Sequence, residues 1–185
     1  MRYSPALSLA AVVLALACRN GEATSPNEMR ASADRHGHDG GSMSSVVIPA
    51  VGGFTSTPLA RGGFGDDIDV TFRIKEHGGR TTVVHVDDPS EMVTGRITIV
   101  PGGALPWHTH PGPVLVTVAS GELTLVDSHG CEVRRYGASS SFMDSGQGHV
   151  HAAFNAGATD VVIYATYLDV PAGQSPLVPV DNPGC

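Results

Sequence analysis

The chain has 185 residues, a formal net charge of −7, 41% hydrophobic residues, 23 glycines and 13 prolines. That length sets one domain with appendages. The acidic balance argues against non-specific nucleic-acid binding, which needs cationic surface to displace counterions, and there is no basic stripe to hold an anionic membrane. The Gly and Pro content favours a turn-rich, all-β architecture.

The first segment reads as an export signal. Arg2 supplies a positive start, residues 6–17 an apolar run, and Ala15-Leu16-Ala17 a small-x-small cleavage pattern. Twelve apolar-biased residues are too few to span a bilayer as a stable helix. Residues 1–17 followed directly by Cys18 resemble a bacterial lipoprotein signal, which makes Cys18 the candidate lipid anchor and the anchor the chain's only membrane contact. Ordinary secretion with cleavage before Cys18 is the alternative. Both readings place the mature protein outside the cytosol, in the cell envelope or periplasm or secreted, where disulfides persist. Cys131 and Cys185 then remain as a pair for a bridge that would pin the C-terminal tail, worth about 4 kcal/mol in the chain-entropy model.

Residues 18–45 are rich in Ser, Gly, Asn, Asp and Glu without apolar periodicity, and read as a disordered linker. From residue 46 to residue 170 the pattern changes. Short β-branched runs at 68–74, 81–86, 96–100, 114–119, 122–127, 131–136 and 161–168 alternate with Gly, Asp and Pro signals, and predict strands. Pro101-Gly102-Gly103 and Gly146-Gln147-Gly148 are expected turns. No long amphipathic helix is visible, and many short strands predict a sandwich or jelly-roll barrel. Residues 171–185 carry four prolines and predict an extended C-terminal tail.

Four of the nine histidines fall in two short segments, His108-Thr109-His110 and His149-Val150-His151. Side chains two apart on a strand share a face, so each segment can aim two imidazoles at one point. His108, His110 and His151 from two opposed strands would form a site for a divalent transition metal: Fe, Mn, Ni, Cu or Zn. Trp107 reads as packing at the barrel rim and Asn155 as a turn residue that satisfies backbone groups. Glu91 and Glu122 sit near strand ends with solvent-facing positions as the default.

These residues carry a family resemblance. Gly102, His108-x-His110 and Gly121 resemble the first cupin motif, and Gly148-x-x-His151-x-x-x-Asn155 resembles the end of the second. The resemblance covers residues 93–171 closely and extends to small exported single-domain bacterial cupins through His110-Pro111-Gly112-Pro113 and Phe142-Met143-Asp144. It implies a double-stranded β-helix, that is, a jelly-roll barrel. It also implies metal binding inside the barrel, and pairing into a homodimer through edge strands.

The chain departs from the cupin pattern in three respects. The Glu expected four residues after the second His is Val114, the Gly that opens the second motif is replaced at Ser140, and its Pro is Gly146. A three-imidazole site follows, with positions open to water or to a small-molecule substrate. His149 has two readings: a fourth ligand in place of the missing carboxylate, or a catalytic acid/base beside the metal. Three functions fit these residues: a metal-dependent enzyme of dioxygenase or isomerase type, a non-catalytic metal or small-ligand binder, and a structural barrel whose histidines only pack.

Overall fold

The computed structural model describes residues 46–75 and 79–185. The expected signal segment, Cys18 and the 18–45 linker lie outside the described residues. Among the described residues every regular element is a strand, and none is a helix long and apolar enough to cross a membrane.

Twelve strands follow in chain order: β1 (Gly52–Gly63), β2 (Asp69–Lys75), β3 (Thr81–Asp87), β4 (Glu91–Ala104), β5 (His108–Thr109), β6 (Val114–Ser120), β7 (Glu122–Asp127), β8 (Glu132–Gly137), β9 (Ser141–Asp144), β10 (His151–Phe154), β11 (Val161–Val170) and β12 (Val178–Pro179). Ten of them form one antiparallel sheet that curls towards closure. Its main path is β12-β5-β10-β4-β11-β6-β9, with β1 added to β4 and the β7–β8 hairpin added to β10. The all-β jelly-roll barrel expected from the two histidine motifs is therefore the fold of the described chain. The β2–β3 hairpin makes a separate two-stranded sheet.

Strict alternation decides which strands were predictable. In β6 the buried residues are Val114, Val116 and Val118, and in β11 they are Val161, Ile163, Ala165 and Tyr167. These side chains join Val93, Ile97, Ile99 and Leu123 in the main core. Burying each such aliphatic side chain contributes roughly 1.5–3 kcal/mol of transfer free energy. A second cluster holds Ala104, Trp107, Val126, Ala152 and Phe154, so Trp107 is a packing residue as expected.

Two features differ from expectation. Strand β1 carries no alternation and is exposed almost throughout, because it adds its backbone to the edge of β4 and buries little side chain. Pro101-Gly102-Gly103 does not end β4. The strand continues to Ala104 through a bend at Gly102, whose φ of 73° is open to Gly at little cost. At the bend the Gly102 N–H donates to the Asn155 carbonyl and the Asn155 N–H to the Gly103 carbonyl, which swings the end of β4 onto β10.

Asn155 has no exposed surface. Its amide donates to the Ile99 and Thr159 carbonyls and its side-chain oxygen accepts from Gly157 N–H, so every hydrogen-bonding edge is used in shaping the turn after β10. The tail is tied down at three points. β12 pairs with β5, Arg61 donates to the Pro171 and Gln174 carbonyls, and Cys185 is bonded to Cys131 with a Cα–Cα separation of 5.5 Å.

Candidate metal centre

His108 and His151 are direct partners across the β5–β10 ladder. Cross-strand partners point to the same face, so the two motifs meet at this one rung. Their rings lie 4.3 Å apart, and the His110 ring is 4.9 Å from His108 and 5.3 Å from His151. All three residues are buried, and each offers a ring nitrogen within 4.8 Å of the others.

Two of the three rings are oriented by a hydrogen bond from Nδ1. His108 Nδ1 donates to the Pro106 carbonyl at 2.7 Å, and His110 Nδ1 to the Pro176 carbonyl at 2.8 Å. His151 Nδ1 lies 3.3 Å from Asp144 Oδ2, but too obliquely for a hydrogen bond, and so counts among the buried polar atoms without a partner. The contact is one of charge at close range rather than an aligned bond. Nε2 is thus the free nitrogen on His108 and His110. Orientation of a ligating imidazole through its second nitrogen is the usual arrangement around a metal.

Burial keeps the three imidazoles neutral. It pushes His108 down to about 4, with the neighbouring His110 adding to the effect. Burial likewise lowers His110, and lowers His151 well below the ordinary range. Three buried, neutral imidazoles, two of them oriented by backbone carbonyls, form the donor set that a divalent transition metal accepts at neutral pH, with no proton to displace. The residues present therefore fit a metal.

His149 stands elsewhere. Strand alternation would place it on the face of His151, but β10 begins only at His151. Residues 146–148 turn with φ values of 61°, 51° and 94°, so the alternation that would align positions 149 and 151 is broken. His149 Nδ1 lies 2.6 Å from Asp144 Oδ2 and Nε2 lies 3.0 Å from Asp127 Oδ2. Burial alone would lower this imidazole, but the hydrogen bond and charge of Asp144, then those of Asp127, hold it up at about 9. With both nitrogens facing carboxylates, His149 bridges Asp144 and Asp127 and stands outside the His108, His110 and His151 group.

The carboxylate that sequence reasoning missed is Asp144. Val114 holds the position where cupins carry Glu, and the ladder partner of Val114 is Asp144 on β9. Asp144 stands one strand across from that position and lines the same cavity as the histidines. Burial would raise Asp144, but its hydrogen bond to His149 and the charge of that imidazolium hold it well below the usual carboxylate range. It also accepts from the Gly146 N–H at 2.7 Å, which fixes the 145–148 turn. Asp144, His149 and His151 form a second group of convergent ligand atoms that shares His151 with the first. The only sequence signal for Asp144 was its place in the Phe142-Met143-Asp144 run.

The replacement of the motif Pro by Gly146 has a steric cause. A Cβ at Gly146 would lie 2.0 Å from the Gly112 carbonyl oxygen, and φ at Gly146 is 61°. The turn after the first motif thus packs directly on the turn before the second. Gln147 N–H donates to the His110 carbonyl across this contact, which gives Gln147 the expected turn role. Glu91 is paired with Arg61 and Glu122 lies 3.9 Å from Arg135, so neither reaches the histidines. His85 pairs with Asp69 on the exposed hairpin.

A cavity of about 380 Å³ opens from the imidazoles into the barrel. Its walls include Ile97, Val116, Leu123, Phe142, Ile163 and Tyr167, and the tail residues Ser175 to Leu177 close one side. That volume lies within the range of small-molecule sites.

No protein-family model matches the chain. No curated protein matches it significantly. Among solved structures, oxalate oxidase in complex with the substrate analogue glycolate is 24% identical with a TM-score of 0.44, over 69% of this chain and 55% of that one. An uncharacterized conserved protein with a double-stranded beta-helix domain from Klebsiella pneumoniae is 19% identical with a TM-score of 0.41, over 63% of this chain and 87% of that one. The Cupin_2 domain of an XRE family transcriptional regulator from Enterobacter cloacae is 17% identical with a TM-score of 0.40, over 65% of this chain and 99% of that one. The chain spans about half the length of the oxalate oxidase structure.

Proposed function

We propose that this chain is an exported cupin that binds one divalent transition metal through His108, His110 and His151 and acts on a small molecule held in the adjoining cavity. The observation that carries the reading is the ladder pairing of His108 with His151, with Nδ1 of His108 and of His110 already committed to backbone carbonyls. Three protein ligands with the remaining positions open are the mark of a catalytic rather than a closed structural site. When bound, such a metal supplies Lewis acidity or redox chemistry at an open coordination position. The chain's own residues orient the imidazoles, exclude water through the apolar barrel wall, and hold a balanced set of buried charges behind the site. In that set His149 is a positioning residue: it fixes Asp144, which in turn faces His151.

Titration of tag-free protein with Co²⁺ tests the reading. A visible absorption band saturating at one equivalent, and absent in His108→Ala, supports it; a colourless protein at excess Co²⁺ removes it.

Export with residues 1–17 as signal and Cys18 as lipid anchor belongs to the same proposal. The Cys131–Cys185 bridge supports an oxidising compartment. Labelling with a fatty-acid analogue, lost on Cys18→Ser, tests the anchor; label retained on that variant removes it.

A further inference from the structure

The cavity wall points to a class of ligand. Among the described residues it contains no Lys, Arg, Glu, Asn or Gln. Its polar members are the three imidazoles, Asp144, Tyr167, Ser56 and Ser175. Asp144 is already committed, with Oδ1 on Gly146 N–H and Oδ2 facing His149. Tyr167, whose ring lies 5.2 Å from that of His110, remains a neutral phenol because burial raises it to about 12. A ligand rich in hydroxyls would leave most of them unpaired against this wall, and a second anionic group would find no cation there. A hydrocarbon body loses nothing on the same surface and releases water from it.

We propose that the cavity takes a compact, largely apolar ligand, aromatic or branched aliphatic, that presents a single oxygen-donor end to the three imidazoles. The polarity is arranged at one end. The histidines and Asp144 stand together, while Val116, Leu123, Phe142 and Ile163 line the remainder. The ligand therefore lies with its body in the apolar barrel and its donor end at the histidine rung. This inference rests on the metal-centre reading for the donor end alone; the apolar body is argued from the wall itself.

Two probes with the same metal-binding head separate the parts: benzohydroxamate, with a phenyl body, and acetohydroxamate, with a methyl. Calorimetric titration of the Co²⁺-loaded protein should show benzohydroxamate binding at least tenfold more tightly. Equal affinities, or a preference for acetohydroxamate, would overturn the apolar-body assignment while leaving the metal centre standing. A protein that takes up no Co²⁺ removes the metal centre, and the same probes then test the wall alone. Benzohydroxamate should still shift the methyl NMR signals of Val116, Leu123 and Ile163 in a saturable manner, and acetohydroxamate should not. The inference is overturned when neither probe shifts them, or when both do so equally.

Discussion

Replacing His149 by Ala removes the imidazolium that joins two almost fully buried carboxylates, Asp127 with 1% and Asp144 with 3% of the side chain exposed. Removing one partner from a buried ion pair costs about 3–5 kcal/mol. The loss here is smaller, because Asp144 keeps the Gly146 N–H, Asp127 keeps the His129 N–H and Arg134 at 3.6 Å, and His149 itself is 18% exposed. About 2–3 kcal/mol is expected at neutral pH, a drop in Tm of roughly 5–10 °C for a domain of this size.

The difference between wild type and variant should itself depend on pH. The His149 pKa is raised in the fold, so its contribution is complete below 6.5 and is lost as pH climbs through about 9. In the variant, unpaired Asp144 is raised by burial, so acid relieves the variant by protonating it. The gap should be widest near pH 7 and narrow on both sides. Thermal melts of both proteins from pH 4 to pH 9.5, with metal content measured on the same samples, check this. The variant should keep its metal. A variant that melts like wild type but has lost the metal would refute the bridging role and restore His149 as a ligand.

Intact mass under non-reducing conditions should show Cys131 and Cys185 bonded, and Cys131→Ser should cost about 4 kcal/mol in denaturant titration. Two free thiols in the mature protein would contradict the bridge. Gly146→Ala should destabilise by about 2 kcal/mol or more, since an L residue at φ 61° is strained and its Cβ would meet the Gly112 carbonyl at 2.0 Å. The same substitution should weaken Co²⁺ binding, because the two turns set His110 against His151; unchanged affinity in a folded variant would contradict that coupling.

The histidine centre was legible because two short histidine-bearing segments identify the strands that bring His108, His110 and His151 together. The barrel was legible where strands bury one side, as β6 and β11 do. Strand β1 escaped because an edge strand that buries little side chain writes no alternation into its sequence. The extent of β4 escaped because Pro101-Gly102-Gly103 spells a turn locally, while its hydrogen bonds to Asn155 hold it in the sheet. His149 and Asp144 escaped for related reasons. The first lies in a turn of positive φ, where alternation does not apply. The second is the ladder neighbour of Val114, a pairing that only the register reveals.

Metal analysis of tag-free protein from its native expression host tests the central claim most directly. The account predicts close to one transition-metal ion per chain. Single substitution of His108, His110 or His151 by Ala should strip that ion while circular dichroism still reports a β fold. A folded protein that carries no metal after supplementation, or one whose metal survives loss of all three imidazoles, would contradict it.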